Sequence, residues 1–327
     1  MARTTLRTEE RLYKIEGRQF ERRWGSEYRP SIEATRHEAP KVSRPSKLYS
    51  PKLERTVHLM SLPERAACLL ALYHPDVFDL HEQHMLFCHA ADHPLAGHPY
   101  AAGQTLTPLK GTVDVAERMN IDGRHPVVRI NLIDESGEMV EARESFPYIG
   151  DFLLFLQDAE GAYCVNWTVK KDAQSFSRPF DQHTNPSTYA NRSKVAEQRH
   201  LLEEQYFADA NIRTVRVASD DIDRQVVANL TMTAGSLATY ANTPHDERHY
   251  LIQQYRELLE SRTPVLHHLP RLSKITGCER EHCLATLYGA IWHRELRVDL
   301  TRPIFPDKPL RGETVDLVES YRDWFRR

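Results

Sequence analysis

The stretch Glu144–Lys171, ESFPYIGDFLLFLQDAEGAYCVNWTVKK, decides how the rest of the chain is read. It predicts two β-strands, Asp151–Gln157 and Ala162–Lys170, joined by a short polar turn at Asp158–Gly161. Side chains alternate along a strand, so Asn166, Thr168 and Lys170 share one face while Val165, Trp167 and Val169 share the other. With the turn so placed, the register sets Asp151 roughly opposite Thr168 and close to Lys170. Taken alone, this is an amphipathic hairpin with an acid and a lysine at its wet end. The flanking sequence gives that end a context.

Upstream, His58–Tyr73 (HLMSLPERAACLLALY) predicts a helix. Ser61 reads as its N-cap, Pro63 suits the first turn, and Glu64 completes a capping box three residues after the cap. Glu64 therefore has a structural reason to exist without any chemistry. Val77–Met85 follows as a strand, and Val127–Ile133 is one of several short strands before the hairpin. Downstream, Asp172–Asn191 reads as an insertion-like loop, Lys194–Phe207 as an amphipathic helix and Ile212–Ala218 as a strand. The succession is α-β-β-β-α-β, an α/β fold class.

Residues 1–58 are polar and punctuated by proline, with fourteen Lys and Arg against eight Asp and Glu. They predict either a basic arm lying on DNA or a partner, or a solvated tail. His74, His81, His84, His89, His93 and His98 crowd the next section with Cys88, but their spacing matches no usual zinc site. They read as polar loop histidines. From about Ser219 the character changes. Asp246–Ser261 is a charged helix, and Leu269–Thr276, Gly277 and Glu279–Glu295 read as helix, turn and helix. The strand Leu296–Leu300 and a Pro-rich hairpin, Thr301–Leu310, follow. Helix-turn-helix with a wing is the implied fold. The N-terminal residues of its second helix, Glu279, Arg280, Glu281 and His282, are mixed in charge and argue against strong groove readout. The wing is more basic, with Arg294, Arg297 and Arg302 as candidate DNA contacts. The organisation is thus an arm (1–58), an α/β domain (59–218) and a winged-helix-like domain (219–327).

Composition narrows the classes. A chain of 327 residues has room for two cores, and 40% hydrophobic with 27% charged residues is ordinary for a soluble protein. A net charge of -3 gives no global nucleic-acid signature, so DNA contacts must be local. No apolar run approaches a membrane span, and the N-terminal residues lack the apolar core of a signal peptide. Five cysteines without a C-x-x-C pair read as reduced thiols, which points to the cytoplasm.

An acid heading one strand, facing a polar residue and a lysine at the end of the next, resembles the metal site of the PD-(D/E)xK nucleases, whose common core has the same element order. The resemblance extends to one family, the TnsA endonuclease subunits of Tn-seven-like heteromeric transposases. It is carried by Tyr28-Arg29-Pro30, Lys47-Leu48-Tyr49-Ser50, and Val57-His58-Leu59 with Ser61 and Glu64. Further along it is carried by Asp79-Leu80-His81-Glu82-Gln83, Asp151-Phe152-Leu153, Val169-Lys170 and Glu203–Phe207. It covers most of residues 10–220 and weakens beyond.

What this resemblance implies is a restriction-endonuclease-like core and hydrolysis of the 5′ ends of a transposon. Catalytic residues would be Glu64, Asp151, Thr168 and Lys170. Glu64 and Asp151 would hold one or two Mg²⁺, with Mn²⁺ able to substitute. Partners would be transposon-end DNA, a DDE-type transposase that cuts the 3′ ends, and an AAA+ ATPase regulator that contacts the C-terminal region. Two departures stand out. Thr168 replaces the glutamine (in relatives, glutamate) two residues before the lysine, and Gly150 stands where the nuclease signature has proline. An active enzyme is the reading taken. A catalytically degenerate assembly subunit and a stand-alone restriction or repair nuclease are the alternatives.

Overall fold

The computed structural model describes residues 8–21, 23–41, 43–133, 137–177 and 186–327, with the backbone alone for 186–192. From the N-terminus the helices and strands are α1 (Glu9–Gln19), β1 (Ser46–Ser50), β2 (Arg55–Leu59), α2 (Leu62–Tyr73) and β3 (Val77–Leu86). Then come α3 (Thr112–Arg118), β4 (Val127–Ile133), β5 (Met139–Ser145), β6 (Tyr148–Asp158) and β7 (Gly161–Lys170). The chain continues through α4 (Pro186–Ala208), β8 (Arg213–Ala218), α5 (Arg224–Ala234), α6 (Leu237–Asn242), α7 (His245–Ser261), α8 (Leu269–Thr276) and α9 (Arg280–Trp292).

The central sheet is mixed, in the order β3-β6-β7-β8. β6 and β7 pair antiparallel from Phe152↔Trp167 to Asp158↔Gly161, and β8 joins β7 in parallel. The turn closes on Gly161 at φ 117°, a backbone that other residues rarely adopt. Its register is the one that the alternation along Asp151–Lys170 predicts. Phe152, Leu154, Val165, Trp167 and Val169 face α2 and the C-terminal helices. Leu153, Phe155, Ala162 and Cys164 face Leu202, Tyr206 and Phe207 of α4. A sheet covered on both faces needs apolar residues at successive positions, which is why Asp151–Leu156 reads DFLLFL and not as an alternation.

Helix α2 begins as its sequence dictates. The Ser61 hydroxyl accepts from the Glu64 backbone N–H at 3.2 Å, and Pro63 occupies the first turn. The Glu64 carboxylate reaches back to the N–H of Met60, one residue before the cap, at 2.8 Å. The helix buries almost its whole circumference, because α5 packs on the side away from the sheet.

The described part of 1–58 is not an extended arm. α1 buries Leu12 and Ile15 against Met85, Val128, Ile130 and Phe146. Arg18 grips Glu38 through two hydrogen bonds of 2.8 and 3.0 Å, and the Tyr28 hydroxyl donates to the Glu82 carbonyl at 2.8 Å. Arg55 on β2 meets Glu82 at 2.8 Å with both side chains buried. These contacts tie the segment along β3.

The C-terminal helices share one hydrophobic core with α2 and the sheet, from Leu48 to Phe325. α8 and α9 are joined through Gly277 at φ 72°, and α9 is packed by α5, α6, α7 and α8. The expected strand Leu296–Leu300 and hairpin Thr301–Leu310 do not form. One isolated bridge, Val298↔Gly312, stands there, and Pro303, Pro306 and Pro309 withhold the donors that a ladder needs. The last residues return to the site hairpin. The Trp167 indole donates to the Trp324 carbonyl at 2.9 Å, and Phe325 packs on Trp167 with ring centroids 5.0 Å apart. Arg327 bonds Asp158 at 2.6 and 2.9 Å and the Gly161 carbonyl at 2.8 Å.

The loop expected at Asp172–Asn191 lies partly outside the described residues. What is described gives α4 an earlier start, at Pro186, a residue suited to the first helical position. The histidines are not loop residues throughout. His81 and His84 lie on β3, and His74, His84 and His93 are buried. All five cysteines are free thiols. No helix among the described residues is long and apolar enough to cross a membrane.

Candidate active site

Asp151 and Lys170 meet at the open end of the site hairpin. The Asp151 Oδ2 accepts from the Val169 backbone N–H at 2.7 Å, and the Lys170 Nζ lies 3.7 Å from the same oxygen. Nζ also donates to the Val169 carbonyl at 3.1 Å. The two side chains keep 22% and 36% of their surface, so the pair is fixed by backbone yet open to an approaching ligand.

Glu64 stands beside them from the first turn of α2. Its Oε2 accepts from Met60 N–H at 2.8 Å and from the Gln83 amide at 3.1 Å, and its Oε1 accepts from the Ser61 hydroxyl at 2.8 Å. Burial, and after it the charge on Asp151, raises its carboxyl to about 7, against the pull of Met60, Ser61 and Lys170. Such a group changes charge near neutral pH. It can take a proton, or release one to a cation that binds beside it.

Gln83 reaches Glu64 through unusual backbone. Its φ of 47° is left-handed, uncommon for a residue with a side chain, and its carbonyl accepts from Ser31 N–H at 3.0 Å. The N-terminal segment thus holds the conformation that brings the amide to the carboxylate. Sequence reasoning carried Gln83 only as part of a resembling run.

Thr168 is held by α4. Its hydroxyl donates to Glu203 Oε1 at 3.0 Å, and the Asn166 amide donates to the same oxygen at 2.9 Å. Glu203, on α4, is buried, and burial raises its carboxyl, with Arg199 and Asn166 opposing and Asp151 adding to the rise. The position two residues before the lysine therefore carries no carboxylate of its own but binds one from the helix. The sequence held a signal for this. Glu203 lies on the apolar stripe with Leu202, Tyr206 and Phe207, where an acid requires a buried partner.

Gly150 has a local explanation. It pairs across the sheet with His84, and a Cβ there would lie 2.3 Å from the His84 ring. His84 is buried, and burial lowers it to about 3. On the other side His200, lowered to about 4 by burial and then by Lys170, is neutral at pH 7.

Among the described residues no group of three His, Cys, Asp or Glu converges as a ready-made metal cage. Two of the expected DNA-contacting arginines are neutralised by acids folded against them. Arg294 is bound by Asp316 at 2.7 and 2.9 Å, and Arg297 is bound by Asp316 at 2.8 Å and by Glu313. Arg302 is exposed. A scan against family models found no match to the chain, and a search of curated proteins found none.

Proposed function

We propose that the protein is a metal-dependent DNA endonuclease with a PD-(D/E)xK core, the subunit of a heteromeric transposase that hydrolyses the 5′ ends of the element. The observation that carries this reading is the convergence of Glu64, Asp151 and Lys170 at one end of a mixed sheet. The α-β-β-β-α-β succession and the TnsA-like runs support it. The C-terminal helices, with their neutralised arginines, fit docking of the ATPase regulator better than groove readout.

The donor set suits a hard divalent cation. Glu64 and Asp151 offer carboxylate oxygens, and Mg²⁺ binds through one or two carboxylates while keeping several waters. When bound, the cation supplies positive charge against the scissile phosphate and lowers the pKa of water beside it. The chain's own residues do the rest. The Val169 N–H fixes the orientation of Asp151, and Gln83 and Ser61 fix Glu64. Lys170 stands where it can balance charge building on the phosphate. Glu203 anchors β7 through Thr168 and keeps the lysine-bearing end in register.

The test is cleavage of DNA carrying the element ends, with the partner transposase and Mg²⁺, comparing wild type with Asp151→Ala. Loss of 5′ cutting with 3′ cutting retained is the expected result. Equal 5′ cutting by both proteins would remove Asp151 from the chemistry, and cutting without any transposase would make the protein a stand-alone nuclease. A silent assembly subunit is the second reading. It is favoured by one feature, that both Glu64 oxygens already accept hydrogen bonds. It predicts no 5′ cutting by either protein.

A further inference from the structure

A cleft of about 510 Å³ opens at the start of β3, within the size range of ligand sites. Trp24, Phe78, His98 and Tyr100 line it. Phe78 and Tyr100 have ring centroids 4.9 Å apart at 83°, and Trp24 and His98 are 5.2 Å apart at 78°. Rings set this steeply border one space from several sides, and Tyr100 keeps 52% of its surface.

The charges around the cleft are predominantly negative. Glu27 and Glu54 stand exposed with no ion-pair partner among the described residues, and Glu54 is held in left-handed backbone at φ 53°. The Asp79 carboxylate accepts from Gly25 N–H at 2.8 Å. The Lys52 ammonium is tied to the His74 carbonyl at 2.7 Å, and burial holds His98 below the usual histidine value, so that it is neutral at pH 7. Two exposed carboxylates, Glu27 and Glu54, thus border the aromatic floor, while Asp79 is buried and already bonded and the one ammonium is tied to a backbone carbonyl.

We propose that this cleft docks an arginine side chain from an extended segment of a partner protein, its guanidinium against the rings and between Glu27 and Glu54. A guanidinium is planar, weakly hydrated and able to fork onto carboxylates while lying on an aromatic face, which an ammonium is not. Nucleic acid is disfavoured, because stacking platforms for bases are set in basic grooves and this rim is acidic. The cleft is separate from the candidate active site. Phe78 and Gln83 lie five residues apart on one strand, about 17 Å. The proposal therefore stands whether or not the chain is a nuclease.

The experiment uses the full chain labelled with nitrogen-15 and follows the indole signals of its four tryptophans, with Trp24 assigned through Trp24→Phe. The probes are the peptides acetyl-Gly-Arg-Gly-amide and acetyl-Gly-Gln-Gly-amide, and oligothymidylate. The arginine peptide is expected to shift the Trp24 signal saturably at millimolar concentration. Tyr100→Ala and Glu54→Gln, both at exposed positions, should each weaken it about three- to fivefold. An equal shift by the glutamine peptide would overturn the proposal. So would unchanged affinity in a folded Tyr100→Ala, or a shift by oligothymidylate alone.

Discussion

Replacing Glu203 by alanine removes the one oxygen that accepts from both Asn166 at 2.9 Å and Thr168 at 3.0 Å. Both donors are buried, at 0% and 4% exposure, so neither finds water in exchange. An orphaned buried donor costs about 1–3 kcal/mol, which gives roughly 2–6 kcal/mol for the pair. Glu203→Gln keeps an acceptor of the same shape and should cost no more than about 1 kcal/mol at low pH. The two variants also differ in their response to pH. Burial raises the Glu203 carboxyl in the folded state, with Asp151 adding to it. A raised carboxyl binds its proton more tightly when folded, so wild type loses stability as pH rises from the ordinary glutamate range through the raised value. Glutamine carries no charge and escapes that loss, so its stability relative to wild type should improve as pH rises above the ordinary glutamate range. Urea midpoints at several pH values measure both effects. The reasoning is refuted if Glu203→Ala is no worse than Glu203→Gln, or if the glutamine variant falls further behind wild type as pH rises. Cleavage by the stable Glu203→Gln protein then separates an electrostatic role from a purely structural tie.

Arg55→Leu leaves Glu82 buried without its cation and should cost about 3–5 kcal/mol by chemical denaturation, most of it recovered when Glu82→Leu is added. Gly150→Ala should cost about 1–3 kcal/mol through the His84 contact, and His84→Ala in the same chain should relieve it; additive losses would sink this account. Asp316 is held at about 2 because hydrogen bonds from Arg294 and the Val318 N–H outweigh the opposing effect of burial. Its contribution is present above the ordinary aspartate value and is lost as pH falls through the depressed one. Asp316→Asn should therefore be less stable than wild type by about 2 kcal/mol at pH 7, with the two melting curves converging between about pH 4 and pH 2.

What could be read from the chain was local. The hairpin register followed from a four-residue turn and a period of two, and α2 followed from Ser61, Pro63 and Glu64 at their spacing. Asp151 and Lys170 were brought together by that register alone. Beyond α1, whose short apolar face is only Leu12 and Ile15, the N-terminal segment escaped because it is fixed by single long-range contacts, such as Tyr28 to Glu82. The left-handed backbone of Gln83 escaped for the same reason, since only its distant partners Glu64 and Ser31 require it. Thr168 looked like a weakened ligand because its neighbours in sequence were visible and its partner, thirty-five residues away on α4, was not. At the other end, Arg294 and Arg297 read as a basic wing because sequence shows a cation without showing the acid folded against it.

The seal on Trp167 also bears on how the protein reaches its folded state. The β6–β7 hairpin closes over two residues and can form within microseconds. The Trp167 indole, however, finds its acceptor only when a segment 157 residues further along arrives. Contacts of such separation require most of the chain's loop entropy to be given up before they return anything, which places them late in folding. Trp167 should then report two separable events in a stopped-flow experiment, an early burial against the sheet and a later change as Trp324 and Phe325 close over it.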